Sequence, residues 1–170
     1  MGAFATGSLL IAVLTVGMMA GVYAAFAVAV MPGLAGAADR TFVEAMQRIN
    51  VAILNGWFLI CFLGGLVFSA LALALSLGAF PSGAAERSAV PLMVAGLVLY
   101  TATLAITFIV NVPLNNALVA AGAPDAIRDI GAVRTAFETR WVVFNVARAV
   151  VGTVAFASLA WALYLAGGGT

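Results

Sequence analysis

The hydrophobic residues of the chain fall into four long segments, separated by shorter stretches that carry proline, glycine or charged residues. Each segment is long enough to cross a hydrocarbon core of about 30 Å as an α-helix. The pattern therefore predicts an all-α fold, a four-transmembrane-helix bundle that forms one integral membrane domain over residues 1–170. The predicted spans are residues 6–30, 50–77, 89–110 and 141–165.

Polar helical lead-ins precede the second and fourth predicted spans. Residues 41–77 contain no proline and would form a helix of about 55 Å, which exceeds the thickness of the hydrocarbon core. Residues 126–140 lead in the same way into the fourth span. We therefore expect helices 2 and 4 to extend beyond the bilayer. Helices 1 and 3 should end at Pro32 and near Pro113, because proline interrupts a helix.

Six residues recur along the fourth predicted helix at steps of three and four, which places them on one face. They are Arg134, Glu138, Trp141, Asn145, Arg148 and Gly152. Arg148 lies about 10 Å beyond Trp141 along the helix, at a depth where contact with lipid costs roughly 2.5–3.5 kcal/mol. We therefore expect Arg148 to point into a protein interior or a water-filled cavity and to have polar partners there.

Composition supports a membrane protein and narrows the chemistry. Hydrophobic residues make up 65% of the chain and charged residues 8%, against about 25% charged residues in soluble domains. The net charge of +1 gives no case for binding nucleic acid. The chain has no histidine, and Cys61 is its only cysteine, so it lacks the usual protein ligands of haem, copper and zinc. We expect no metal and no other cofactor.

The distribution of arginine and glycine gives two further expectations. Five arginines, at positions 40, 48, 128, 134 and 140, flank the first and third loops, and Arg87 lies on the other side. The positive-inside rule then predicts a multi-pass protein of the cell membrane with loops 1 and 3 in the cytoplasm. Gly17 and Gly21 would let another helix approach closely. That helix could come from a second copy of the chain or from a partner protein.

Three motifs together resemble a known family. They are Asn50 with Asn55 in helix 2, the run Asn111-Val112-Pro113-Leu114-Asn115, and Arg140-Trp141 followed by Asn145 and Arg148. This combination is similar to the anthrone-oxygenase-like family of small four-helix membrane proteins, over about residues 14–165. The bacterial members of the family mostly have no assigned function. The resemblance implies membership more strongly than it implies a substrate.

The fungal relatives suggest the chemistry that such a protein could carry out. They are associated with the oxidation of anthrones to anthraquinones by O2, without a metal or flavin. Some relatives carry a histidine in the fourth-helix motif, where this chain has Asn145. A mechanism that uses histidine as the base therefore does not transfer to this chain.

The resemblance and the polar stripe together suggest catalytic candidates. Arg148 would stabilise an enolate or quinone oxygen, because a guanidinium presents a fixed fork of donors. Asn55 and Asn145 would add hydrogen-bond donors, and Glu44 or Glu138 is the candidate base. The alternative for both acids is an ion pair at i,i+4 spacing with an arginine of the same helix, and we favour it. The alternative for the asparagines and Arg148 is a set of hydrogen bonds between helices.

Five further residues are candidates for binding the substrate: Trp141, Asn111, Asn115, Tyr23 and Tyr100. Trp141 could instead anchor the chain at the membrane interface, and the asparagines around Pro113 could cap a broken helix end. Two functions follow. The first is a cofactor-independent oxygenase for an apolar polycyclic or quinone-type substrate. The second is a non-enzymatic membrane module: a small-molecule binder, a transporter part or a subunit of a larger assembly. A cavity above roughly 300 Å³, lined by these groups, would favour a ligand.

Overall fold

The computed structural model describes residues 1–78 and 84–167. Over these residues the chain forms seven α-helices: α1 (Ala3–Ala25), α2 (Met31–Ala35), α3 (Asp39–Ala52), α4 (Gly56–Gly78), α5 (Ala84–Ile106), α6 (Val112–Ala120) and α7 (Ile130–Gly167). Four helical segments of this described chain are long and apolar enough to cross a membrane: Ala3–Ala35, Gly56–Gly78, Arg87–Ala120 and Ile130–Gly167. We number these segments as the first to fourth spans. The predicted all-α fold with four spans is confirmed.

The first and third spans continue through their prolines, so the prediction that they end there is wrong. A π-helical turn directly precedes the helices that contain Pro32 and Pro113: Phe26–Val30 comes before α2, and Thr107–Asn111 comes before α6. Proline has no backbone N–H, so one hydrogen bond of the helix is missing at each proline. A wider π turn is a local adjustment that lets a membrane helix continue despite this missing bond. Asn115 and Asn116, which follow the π turn of the third span, therefore lie on a helix rather than at its end.

The second predicted helix is divided in two. α3 ends at Ala52 and α4 begins at Gly56. The side-chain oxygen of Asn55 accepts a hydrogen bond from the backbone N–H of Phe58 at 3.1 Å, which caps the start of α4. Asparagine favours such caps over helix interiors. The polar lead-in exists as α3, but the prediction of one unbroken helix over residues 41–77 is wrong.

The fourth span has the predicted continuous form. α7 runs through both the polar lead-in and the apolar segment without interruption. The Asp129 carboxylate accepts a hydrogen bond from the Ala132 backbone N–H at 2.9 Å near the start of the helix, where an acidic cap is favourable. One rigid element therefore carries the polar stripe from the loop end of the bundle into the apolar bundle.

Close packing between spans depends on small residues. A Cβ atom on Gly17 of α1 would lie 2.9 Å from the Phe156 ring of α7, and one on Gly65 of α4 would lie 2.6 Å from the Tyr100 ring of α5. Gly21 has open space beside it. Gly17 thus serves a contact within the chain. A second copy or partner protein at Gly17 and Gly21 stays a prediction.

Two apolar clusters hold the bundle together. The larger lies among the spans and includes Leu9, Met19 and Tyr100. The smaller lies at the loop end, where Phe42 of α3 and Phe137 of α7 pack edge to face with ring centroids 6.1 Å apart. Members of both clusters line one cavity, which places that cavity at the junction of the clusters.

Candidate active-site cavity

The cavity has a volume of about 940 Å³, and its walls are mostly apolar. All four spans contribute to it, as does the break between α3 and α4. Its polar lining residues are Tyr23, Asn50, Thr107, Asn111, Asn115, Asn116, Trp141, Asn145 and Arg148. The volume lies within the range of roughly 300–1,000 Å³ that is typical of ligand sites.

The cavity opens sideways between the second and third spans. Leu59 and Leu63 of α4 line it and are also exposed on the protein surface, and so are Phe108 and Val119 on the facing wall. These surfaces are apolar and belong to segments that can cross a membrane. An apolar molecule dissolved in lipid can therefore reach the cavity without passing through water.

Arg148 lies in the cavity wall and is 6% exposed. One terminal nitrogen donates to the Thr107 hydroxyl at 3.1 Å, and the other donates to the Asn145 side-chain oxygen at 3.0 Å. The guanidinium carbon lies 4.6 Å from the Tyr23 ring centroid and 5.6 Å from that of Trp141. The expectation of a buried guanidinium with polar partners is thus met. None of these four partners, all within the described part of the chain, carries a negative charge.

Asn145 connects the first span to Arg148. Its amide nitrogen donates to the Tyr23 backbone oxygen at 3.1 Å, while its oxygen accepts from Arg148. Tyr23 is the third residue before the π turn of the first span. Asn145 therefore fixes both the guanidinium and the start of that turn, because both ends of its side-chain amide are used.

The asparagines of the third span contact Trp141. The Trp141 indole N–H donates to the Asn115 side-chain oxygen at 2.8 Å, and the Asn111 amide nitrogen lies 3.4 Å from the Trp141 backbone oxygen. These contacts replace the helix-capping role that the sequence suggested for the asparagines. They also hold the Trp141 ring against the cavity instead of at the membrane interface.

Four buried side-chain atoms in the described part of the chain have no hydrogen-bond partner, and all four belong to residues of this cavity. They are the Tyr23 hydroxyl, the Asn50 amide nitrogen, the Asn111 side-chain oxygen and the Arg148 Nε. An unpaired buried polar atom destabilises a protein by about 1–3 kcal/mol. Because they group around one cavity, their hydrogen-bonding capacity is concentrated there.

The two acidic candidates lie outside the cavity and in ion pairs. Glu44 bonds to Arg48 at 2.8 Å and to Arg40 at 3.3 Å, and Glu138 bonds to Arg134 at 2.7 Å. This is the i,i+4 pairing that we favoured on sequence grounds. Neither carboxylate lines the cavity, so the suggestion that one of them acts as the base there lacks structural support.

Two other candidates are placed elsewhere. Asn55 is exposed, caps α4 and does not line the cavity, so its expected position in the polar pocket is wrong. Tyr100 is fully buried among the spans, and its hydroxyl donates to the Phe62 backbone oxygen at 2.8 Å. It also lies outside the cavity lining.

Three polar lining residues are not among the site residues predicted from the sequence: Asn50, Thr107 and Asn116. Thr107 could have been found, because it shares a helix face with Asn111 at i,i+4 spacing. Asn50 belongs to the motifs that carry the family resemblance. Asn116 gave no separate signal beside Asn115. Within residues 1–78 and 84–167, no three His, Cys, Asp or Glu side chains lie together in a way that could hold a metal ion.

A family model described as anthrone oxygenase matches residues 57–158. The matched region includes most of α4, the whole third span and the part of α7 that carries Trp141, Asn145 and Arg148. Comparisons with curated proteins and with solved structures found no match. The motif-based resemblance is confirmed by the family model, and the chain belongs to the anthrone oxygenase family.

Proposed function

We propose that the chain is a membrane oxygenase that uses O2, without a cofactor, to oxidise an apolar polycyclic or quinone-type substrate with an acidic C–H group, such as an anthrone. The observation that carries this proposal is Arg148, a buried guanidinium whose partners are neutral side chains and aromatic rings. A buried cation of this kind favours an anionic ligand, because the ligand supplies the missing counter-charge. Membership of the family supports the same reaction class.

Arg148 would activate the substrate through electrostatics. When a ketone with an acidic neighbouring C–H group loses that proton, the negative charge develops on the ketone oxygen. A guanidinium that is already in place stabilises this charge, and removing one such donor typically lowers kcat by about 10²–10³-fold. Asn145 holds the guanidinium in position through the 3.0 Å bond to its side-chain oxygen.

The resulting enolate can react with O2 directly. Hydroxide takes the C–H proton and becomes water, and the carbanion electron pair forms a C–O bond to O2, which gives a peroxide anion. In the complete reaction, one CH2 group and one O2 yield one carbonyl group and one water. The electrons balance without an added reductant. The tasks of the protein are therefore to bind and orient the substrate and to stabilise its negative charge.

The surface of the protein supports access from the membrane. The sideways opening between Leu63 and Phe108 is apolar, so a flat hydrophobic substrate would enter from the lipid. We also propose that the α3 end of the bundle faces the cytoplasm, because Arg40, Arg48 and Arg134 lie at that end.

The test is O2 consumption by the purified protein with 1,8-dihydroxyanthrone as the probe. We expect the wild-type protein to exceed the rate without protein, and Arg148→Met to lose about 10²–10³-fold of the catalysed rate. Thermal unfolding of both proteins in the same detergent controls for folding. Equal catalysed rates in the two proteins would remove Arg148 from the mechanism.

A second function is a membrane binder of anionic apolar molecules. The observation that favours it is the absence of a carboxylate among the described residues that line the cavity. Such a binder would take up 1,8-dihydroxyanthraquinone through Arg148 and would show no O2 consumption with the anthrone. Binding without turnover would therefore select this function over the oxygenase.

A further inference from the structure

We propose that Tyr23 is a catalytic residue that transfers protons in the second half of the reaction, when the peroxide becomes a carbonyl. The inference rests on the proposed oxygenase function and adds a named proton donor and acceptor to it. Three observations carry it: the position of the Tyr23 hydroxyl, the lack of any other acid in the cavity lining, and the contact between its ring and Arg148.

Tyr23 is held firmly, but its hydroxyl is free to act. The residue is 3% exposed and lines the cavity. Its backbone oxygen accepts from Asn145 at 3.1 Å, and its ring lies beneath the Arg148 guanidinium at 4.6 Å. The hydroxyl itself has no hydrogen-bond partner. The backbone and the ring of Tyr23 are held in place while its hydroxyl is unpaired, so the hydroxyl is suited to contact a ligand atom.

The nearby threonine hydroxyls donate to other acceptors. Thr103 and Thr107 are its close polar neighbours. The Thr103 hydroxyl donates to the Tyr100 backbone oxygen at 2.7 Å, and the Thr107 hydroxyl donates to the Thr103 backbone oxygen at 2.8 Å. Since each hydroxyl has only one hydrogen, both are already used. The Tyr23 oxygen therefore keeps its capacity to accept a proton.

Tyr23 is the one oxygen acid among the described lining residues of the cavity, and the only other titratable group there is Arg148. Arginine stays protonated under ordinary conditions and cannot serve as a base. Outside the lining, Tyr100 on α5 bonds to a backbone oxygen, and Cys61 on α4 contacts the Met18 sulfur at 3.7 Å. Among the described lining side chains, Tyr23 is therefore the one that can both donate and accept a proton.

The proton steps balance. Tyr23 gives its hydroxyl proton to the peroxide anion, which becomes a hydroperoxide, and the phenolate is stabilised by the nearby Arg148 charge. The phenolate then removes the remaining hydrogen from the same carbon. The C–H electron pair forms the carbonyl, the O–O bond breaks, and hydroxide leaves. Tyr23 is restored, and the hydroxide replaces the one that was used to form the enolate.

The experiment compares Tyr23→Phe with Tyr100→Phe. Each substitution removes one hydroxyl from a buried tyrosine, but only Tyr23 lines the cavity. O2 consumption, total peroxide and quinone are followed over time with 1,8-dihydroxyanthrone. We expect Tyr23→Phe to form less quinone per O2 consumed than the wild-type protein, because Arg148 still stabilises the enolate whereas the later proton transfers lack their donor and acceptor. Quinone should lag behind O2, and peroxide should accumulate. The wild-type protein and Tyr100→Phe should form quinone and consume O2 in step.

Quinone formation in step with O2 consumption in Tyr23→Phe would overturn the role of Tyr23 and leave the oxygenase proposal standing. No catalysed O2 consumption by the wild-type protein would overturn both. If Tyr23→Phe does not fold, 3,5-difluorotyrosine at position 23 keeps the shape and offers a more acidic phenol. The pH dependence of quinone formation should then move to lower pH, and an unchanged pH dependence would contradict the role.

Discussion

Arg134 and Arg148 lie on the same helix, about 21 Å apart along its axis, and their surroundings differ above all in the charge of their partners. Both stack on an aromatic ring at 4.6 Å, Arg134 on Phe42 and Arg148 on Tyr23. Arg134 bonds to two carboxylates and two backbone oxygens. Arg148 bonds to one hydroxyl and one amide oxygen, and its Nε has no partner.

The contrast is between an arginine in a structural network and the arginine that we propose acts on the substrate. The Arg134 partners come from α7 itself, from Asp39 and from the backbone at Ala35 and Ala37. These bonds join the loop after the first span to the start of α3 and to α7, and they leave no donor nitrogen over. Arg148 has the opposite arrangement, in which charge and donor capacity are kept unpaired at a cavity. Arg148 is buried and Arg134 is half-buried, and the charge balance of their partners differs as well.

The largest expected effect is the loss of catalysis in Arg148→Met. Methionine keeps the length of the side chain but removes the charge, so the rate of O2 consumption per folded protein should fall by about 10²–10³-fold. Replacing a buried charge by an apolar side chain is often neutral for folding, so unfolding free energy should change by about 1 kcal/mol or less. Rates and thermal melts of the same preparation check both. If the unfolding free energy fell enough to account for the lost rate, Arg148 would be a structural residue instead.

The next largest effect is expected in Arg134→Met, which should lower stability and leave the rate nearly unchanged. This change leaves Asp39, Glu138 and two backbone oxygens without their donor, and the partners are partly exposed to solvent. We expect a loss of about 1–2 kcal/mol in unfolding free energy, at the low end for charged hydrogen bonds. The rate per folded protein should stay within about threefold of wild type, since no cavity residue is changed. A rate loss as large as that of Arg148→Met would erase the distinction between the two arginines.

Asn145→Leu tests whether Arg148 depends on its amide partner. Leucine keeps the volume but removes the bond to the guanidinium and the bond to the Tyr23 backbone oxygen. We expect about a tenfold lower rate per folded protein, because the guanidinium is less well oriented. This loss corresponds to a rise of about 1.4 kcal/mol in the activation free energy. Steady-state kinetics with the anthrone measures this. An unchanged rate would show that Thr107 alone positions the guanidinium.

The smallest effect should come from Asn55→Ala, the counterpart to Asn145 in the sequence prediction. Asn55 caps α4 outside the cavity, so its loss should lower unfolding free energy by about 1 kcal/mol. Turnover per folded protein should not change measurably. A tenfold rate loss in this variant would mean that the break between α3 and α4 takes part in catalysis.

The amino-acid sequence predicts the spans and the core of the site for a physical reason. An arginine at membrane depth must be buried, so its helix face and the neighbouring Asn145 and Trp141 could be assigned to the interior. The acids at i,i+4 spacing from arginines were likewise correctly weighed as ion pairs. These inferences use only contacts along one helix or the cost of placing charge in lipid.

The remaining features depend on contacts between distant segments. The rule that proline interrupts a helix predicts helix ends at Pro32 and Pro113. In the structure a π turn precedes each of these prolines and the helix continues. Asn55 and Asn145 look equivalent by residue type, yet one caps a helix and the other faces Arg148. Tyr23 is a substrate-binding candidate from the sequence, but its proposed role in proton transfer rests on the cavity, which shows no other oxygen acid among its described residues.

The most direct measurement is the binding of 1,8-dihydroxyanthraquinone, followed by isothermal titration of three proteins: wild type, Arg134→Met and Arg148→Met. An unpaired guanidinium at the cavity predicts that the wild-type protein and Arg134→Met bind with Kd values within about threefold, and that Arg148→Met binds at least about tenfold more weakly. Equal affinity in Arg148→Met and the wild-type protein would contradict the claim that the Arg148 charge is kept free for a ligand.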